Sequence, residues 1–130
     1  MNPDAALWMT VEEAATGVLL LVEELEPADF ARSRLTRAEV VRQLRQAAVA
    51  LAAIGAADRT RTPELDWAGW AELGGVLAAG APPPPPPDAA ADDAVWQATQ
   101  ALVPLTLSWL RVYRDSLPGL FTLQAAGAAD

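Results

Sequence analysis

Apolar residues fall at helical spacing in three successive stretches, each ending on a residue that a helix does not carry through, and this pattern leaves little besides a helical bundle. In the first stretch Val11, Ala14, Ala15, Val18, Leu19, Val22 and Leu25 recur every three or four residues and so share one face. Thr10-Val-Glu-Glu13 has the form of a capping box, in which the hydroxyl accepts from the backbone N–H three residues on while the glutamate reaches back. Pro27 stops the run. The prediction is a helix over 11–26, with Glu12, Glu13, Glu23 and Glu24 largely off the buried stripe. A second capping box, Thr36-Arg-Ala-Glu39, opens a helix over about 37–54 with Val40, Val41, Leu44, Ala47, Ala48, Leu51 and Ile54 inward and Gly55 to close it. Thr62-Pro63-Glu64 signals a third start, a hydroxyl cap followed by proline at the first helical position, after which Trp67, Trp70, Leu73 and Leu77 carry the apolar face to Gly80.

The stretch from Ala81 to Asp88 includes six prolines, which lack backbone donors and lock φ, so an extended connector is expected there. A ligand for a proline-binding domain is the sharper alternative for the same run. Asp88 or Asp92 then caps a last helix through Trp96, Leu102, Val103, Leu105, Leu110 and Tyr113, bent at Pro104 and ended by Pro118-Gly119. Strand-like alternation and internal repeats are absent from the sequence. The expected fold is all-α, an up-down bundle of four main helices with a proline-rich connector before the last. It forms one domain over 1–123, with a polyproline loop at 81–88 and a flexible tail at 124–130; a chain of 130 residues is long enough to build such a core without staples.

The composition removes several kinds of chemistry. There is no cysteine, which excludes disulfides and thiolate metal sites and suits a chain folding in a reducing cytoplasm. There is no histidine, the usual general base near neutral pH and the commonest metal ligand. Nine arginines and no lysine face seventeen carboxylates, for a net charge of -8, the wrong sign for a phosphate backbone. The charges are segregated: residues 1–29 hold seven acids and no base, and residues 30–62 hold seven arginines against Glu39 and Asp58. Arg32, Arg34, Arg37, Arg42 and Arg45 form either a local basic strip or, as the overall balance favours, the solvated face of a helix beside an acidic one. The apolar runs 17–22 and 47–57 are far short of the roughly 20 residues that span a bilayer, so no membrane segment is expected.

Three stretches stand in order: Leu25-Glu-Pro-Ala-Asp-Phe30 with Thr36 to Leu44, the segment led by Trp67 with its spacing to Leu73 and Leu77, and Val95-Trp96 followed eight residues after the tryptophan by Pro104. Taken together they resemble the HepT-like branch of the HEPN superfamily. The resemblance covers residues 12 to about 112. It implies a small helical bundle that pairs with a minimal nucleotidyltransferase as toxin and antitoxin, and a ribonuclease motif of arginine, polar residue, histidine and tyrosine. Carried over, the arginine falls on Gly74, the polar residue on Gly75 and the histidine on Ala79, and no tyrosine follows. In the enzymes of the family the histidine handles the proton of the ribose 2′-hydroxyl and the arginine stabilises charge on the phosphate, and glycine and alanine do neither. The glutamate-bearing stretch that the family often has in its second helix is here Ala47-Ala48-Val49-Ala50.

Other chemistry finds little support. The pairs Glu12/Glu13, Glu23/Glu24 and Asp92/Asp93 point about 100 degrees apart on a helix and do not converge on one atom. Glu23, Glu26 and Asp29 have near-helical spacing without a calcium-type loop, and the glycines follow no strand and carry no lysine, as a phosphate loop needs. Of five tryptophans, Trp67, Trp70, Trp96 and Trp109 belong to packing, while Trp8 lies outside the periodic pattern and is expected as an exposed anchor.

The expectation is therefore a catalytically inactive HEPN-like helical protein without cofactor or metal, acting in the cytoplasm by protein–protein interaction in a toxin–antitoxin or defence-type system. Its partner is a second copy, a nucleotidyltransferase or a HEPN homologue, not nucleic acid or membrane. The candidate interface is Trp67, Trp70, Gly74, Gly75, Ala78 and Ala79 on one side of the third helix. Two alternatives stand beside it: a residual RNA-processing ribonuclease that uses arginine and carboxylates without histidine, and an antitoxin or immunity subunit that docks an active homologue.

Overall fold

The helical spacing of the apolar residues is realised among the described residues. A computed structural model describes residues 2–78 and 89–122, with side chains from Asp93 onward in the second segment. The elements run α1 (Ala5–Val22), α2 (Pro27–Arg32), α3 (Arg34–Ala53), α4 (Ala56–Arg61), α5 (Trp67–Ala78), α6 (Ala89–Gln97), a π turn (Ala98–Leu102), α7 (Val103–Ser116) and a 3₁₀ turn (Pro118–Phe121). No strand occurs among the described residues, and the fold is an all-α bundle. The expected connector at 81–88 and the tail at 124–130 lie outside the described residues.

α1 and α3 form the central antiparallel pair, with Asp4 beside Gly55 and Gly17 beside Gln43. The Gln43 amide occupies the space that a Cβ at Gly17 would need. α7 packs antiparallel on α1, where Arg114 meets Glu12, and α5 lies antiparallel on α3, where Gly74 meets Ala48 and Arg45 reaches Leu77. The core between them holds Trp8, Val11 and Val18 of α1, Val40, Leu44 and Leu51 of α3, Trp70 of α5, Val103 and Leu110 of α7, and Leu120. Among the described residues no buried side-chain polar atom lacks a partner.

The helix starts differ from those expected, because a hydroxyl can serve several local roles. α1 begins at Ala5, one turn before the box at Thr10, and the Thr10 hydroxyl donates back to the Ala6 carbonyl from within the helix. α3 begins at Arg34, with the Ser33 hydroxyl accepting from Thr36 N–H at 3.2 Å, while Glu39 turns to Arg42 and Gln43. Thr62 does not open α5. Its buried hydroxyl donates to the Asp58 carbonyl at 2.8 Å at the end of α4, and Asp66 Oδ1 accepts from Gly69 N–H at 2.8 Å at the start of α5. α1 also stops at Val22, short of the expected end at residue 26, and Pro27 becomes the first residue of α2 instead of the stop.

The bend expected at Pro104 takes the form of the π turn. Proline has no N–H to offer the Gln100 carbonyl and its ring crowds that group; the Val103 N–H bonds the Ala98 carbonyl, five residues back, and the helix continues in the wider register.

With its earlier start α1 reaches 18 residues at a mean hydropathy of 1.5, long and apolar enough to cross a membrane by length and composition, contrary to the expectation from the shorter apolar runs. In this fold its Trp8, Val11, Ala14, Ala15, Val18 and Val22 are buried in the core.

Candidate functional site

α5 carries the residues singled out by sequence, and the fold divides them. Trp70 is buried and its Nε1 donates to Thr106 Oγ1 of α7 at 2.9 Å. Trp67 is half-buried; its Nε1 donates to the Thr62 carbonyl at 2.9 Å, its ring meets Trp8 edge to face at 6.0 Å, and the Arg59 guanidinium lies 4.6 Å above it. Gly74 turns toward α3, where a Cβ would sit 3.5 Å from that of Ala48, an ordinary contact. These three residues therefore belong largely to packing within the bundle. Gly75 and Ala78 are exposed, as are Ala68 and Ala71 at the same helical spacing, and a Cβ at Gly75 would meet nothing within 4 Å. Ala79 lies outside the described residues.

Beside this small-residue face runs a groove of about 320 Å³ between α5 and the continuous helix from α6 through the π turn into α7. On the α5 side Gly69, Glu72, Leu73 and Val76 line it at positions i, i+3, i+4 and i+7, and on the other side Ala94, Ala98, Ala101, Leu102 and Leu105. Val76 remains 39% and Leu105 48% exposed, an aliphatic surface that the bundle itself does not cover. The spacing of residues 69, 72, 73 and 76 is the available sequence signal for this groove; of these, only Leu73 belongs to the apolar face expected for the helix.

The exposed anchor expected at Trp8 does not exist. Trp8 is fully buried, and its Nε1 donates to Asp58 Oδ2 at 2.9 Å. The same oxygen accepts from Asn2 Nδ2 at 2.8 Å, and Arg61 lies 3.5 Å from the other. No local pattern announces this cluster, because its members are far apart in sequence.

Of the basic strip, Arg32, Arg37, Arg42 and Arg45 are taken up by the fold itself. Three arginines each reach the C-terminal carbonyls of a helix, where orphan acceptors and the negative end of the helix dipole favour a cation. Arg37 donates to Phe30 and Ala31 of α2, Arg59 to Leu51, Ala52 and Ile54 at the end of α3, and Arg45 to Leu77 of α5. Arg32 pairs with Asp29, Arg42 with Glu39, Arg61 with Asp58 and Arg114 with Glu12. The bonds from Arg42 and Gln43 hold the Glu39 carboxyl below its ordinary range.

A second groove, of about 670 Å³, lies between α1 and α7 and brings Glu12 and Glu13 near Arg111 and Arg114 beside exposed Met9 and Leu20. It is where the ribonuclease alternative has arginines and carboxylates together. The Arg114 guanidinium, bonded in a fork to Glu12, holds that carboxyl below its ordinary value. This moves it away from the near-neutral range that general acid–base catalysis needs. Among the described residues no three potential ligands converge to hold a metal, and Asp29 is engaged by the Glu26 N–H and Arg32.

Tyr113, the chain's one tyrosine, is buried and donates to Glu64 Oε1 at 2.6 Å; burial first and that carboxylate second raise its pKa far above the ordinary value.

No known protein family, no characterised protein and no solved structure matches the chain.

Proposed function

We propose that the protein is a non-catalytic helical bundle that works by binding another protein through the α5 side. The observation that carries this is the surface there. Gly75 lies mid-helix where the monomer has room for a side chain, Ala68, Ala71 and Ala78 continue the small face, and an uncovered aliphatic groove runs beside it. A helix interior with glycine is less stable than one with alanine by roughly 0.5–1 kcal/mol, so these positions are more useful for the close approach of a second backbone than for the fold.

The likeness to the HepT-like branch supports a second copy, a nucleotidyltransferase or a HEPN homologue as the partner, in a toxin–antitoxin or defence setting. A chain without cysteine is in keeping with the cytoplasm.

Light scattering of the full chain over a concentration series, paired with sensitive cleavage assays on structured and single-stranded RNA, tests the reading. The expected results are no cleavage and, where two copies are the partners, a mass above the monomer that Gly75→Arg lowers without loss of helicity. A monomer at tens of micromolar removes the homodimer and leaves the heteromer. RNA cleavage abolished by Glu12→Gln or Arg111→Ala overturns the reading.

A further inference from the structure

The groove beside α5 has a definite chemical character. Its floor is aliphatic, and the two charged residues among its described lining, Asp66 and Glu72, are both carboxylates. Between Arg61 and Arg111 the sequence has six acids and no base, so no cation from this stretch offsets the two carboxylates of the groove. The small residues Gly69, Ala98 and Ala101 give the groove its depth, and from Ala94 to Leu105 its longer wall extends for about 16 Å of helix, the length of three turns of an incoming helix.

We infer that this groove receives a cationic amphipathic helix of a partner protein, an inference that rests on the binding reading above and specifies the partner's contact element. Aliphatic side chains of such a helix at i, i+3, i+4 and i+7 lie against Val76, Leu102 and Leu105, the helix-in-groove mode of recognition. Lysine or arginine at its edges faces Asp66 and Glu72 on the rim, where exposed charges set orientation and association rate more than affinity. A second copy of this chain is the poorer occupant of the groove. Each copy bears a net charge of -8, and of the arginines on α3 all but Arg34, its first residue, already hold a partner: Arg37 the α2 carbonyls, Arg42 Glu39 and Arg45 the Leu77 carbonyl.

The test is fluorescence anisotropy of the full chain with a labelled synthetic helix of about 14 residues, leucine at the i, i+3, i+4 and i+7 positions and arginine elsewhere, beside its twin with glutamate for each arginine. The arginine peptide is expected to bind saturably at one per chain and the glutamate twin not at all. Ala101→Trp, which fills the groove from an exposed position at unchanged charge, should weaken binding at least tenfold with helicity intact by circular dichroism. Glu72→Gln should weaken it a few-fold and flatten its salt dependence. Absence of saturable binding overturns the inference, and so does binding of equal strength to the Ala101→Trp protein, which marks diffuse attraction to an acidic chain. If either occurs while association sensitive to Gly75→Arg persists, the cationic helix is lost and the binding reading stands. RNA cleavage by the unmodified chain removes the binding reading instead.

Discussion

Trp8 and Asp58, fifty positions apart, share a buried hydrogen bond in which the indole Nε1 donates to Oδ2 at 2.9 Å and ties the start of α1 to α4. Asp58→Ala leaves the buried Trp8 Nε1 without an acceptor, while Asn2 Nδ2 keeps the Leu120 carbonyl, and an unsatisfied buried donor costs about 1–3 kcal/mol. Urea unfolding should show a loss of that order. Trp8→Ala should cost about 3–5 kcal/mol, because it also leaves a cavity. An Asp58→Ala protein as stable as the parent shows that the bond does not form.

Gly75→Ala should stabilise the isolated chain by about 0.5–1 kcal/mol, since the new Cβ enters open space and the helix gains propensity. Gly74→Ala should behave similarly with its single contact to Ala48. Thermal unfolding in dilute solution measures both, and a destabilised Gly75→Ala shows that another surface covers that position.

Pro104→Ala should change stability by less than about 1 kcal/mol, although an interior proline ordinarily costs about 3 kcal/mol. The π turn already supplies Ala98 with the Val103 N–H, so the usual penalty is mostly relieved. A gain near the full amount in chemical denaturation contradicts this account.

The one tyrosine makes the alkaline limb readable. In the unfolded chain Tyr113 ionises near 10.0, whereas burial and Glu64 keep it protonated in the fold well above that pH. Its contribution is therefore complete below the unfolded value and is lost as pH rises beyond it toward the folded one. Tyrosinate absorbance should appear only as the protein unfolds, and Glu64→Gln should bring it to lower pH.

On the acid side the sign reverses. Arg114 keeps the folded Glu12 below the ordinary 4.5, so its contribution is present above that pH and fades as pH falls below it. The pair is partly exposed, and its worth is at most about 1 kcal/mol. Glu12→Gln should cost a few tenths of that scale at neutral pH and nothing at about pH 3, compared by denaturation midpoints. A cost that persists in acid assigns Glu12 a packing role.

Which residues face inward was legible in the sequence. Val11, Val18, Leu44, Leu51, Trp70, Leu73 and Leu110 are buried as their spacing required, because the period of a helix fixes which side chains share a face before any neighbour is known. Helix starts were less legible. Thr10, Thr36 and Thr62 each had a capping signature, yet the hydroxyls of Thr10 and Thr62 donate to carbonyls and Ser33 caps α3. A hydroxyl takes whichever partner the surrounding backbone presents.

The sequence by itself determined an all-α chain, its inward stripes and the absence of histidine and cysteine chemistry, all of which depend on local period or composition. Only the tertiary structure decided that Trp8 is a core residue, that the arginines close helix ends, and that α5 presents Gly75 and a groove outward instead of Trp67, Trp70 and Gly74. Each of those outcomes depends on which distant segment lies opposite, and a side chain meets its partner there only once the helices have packed.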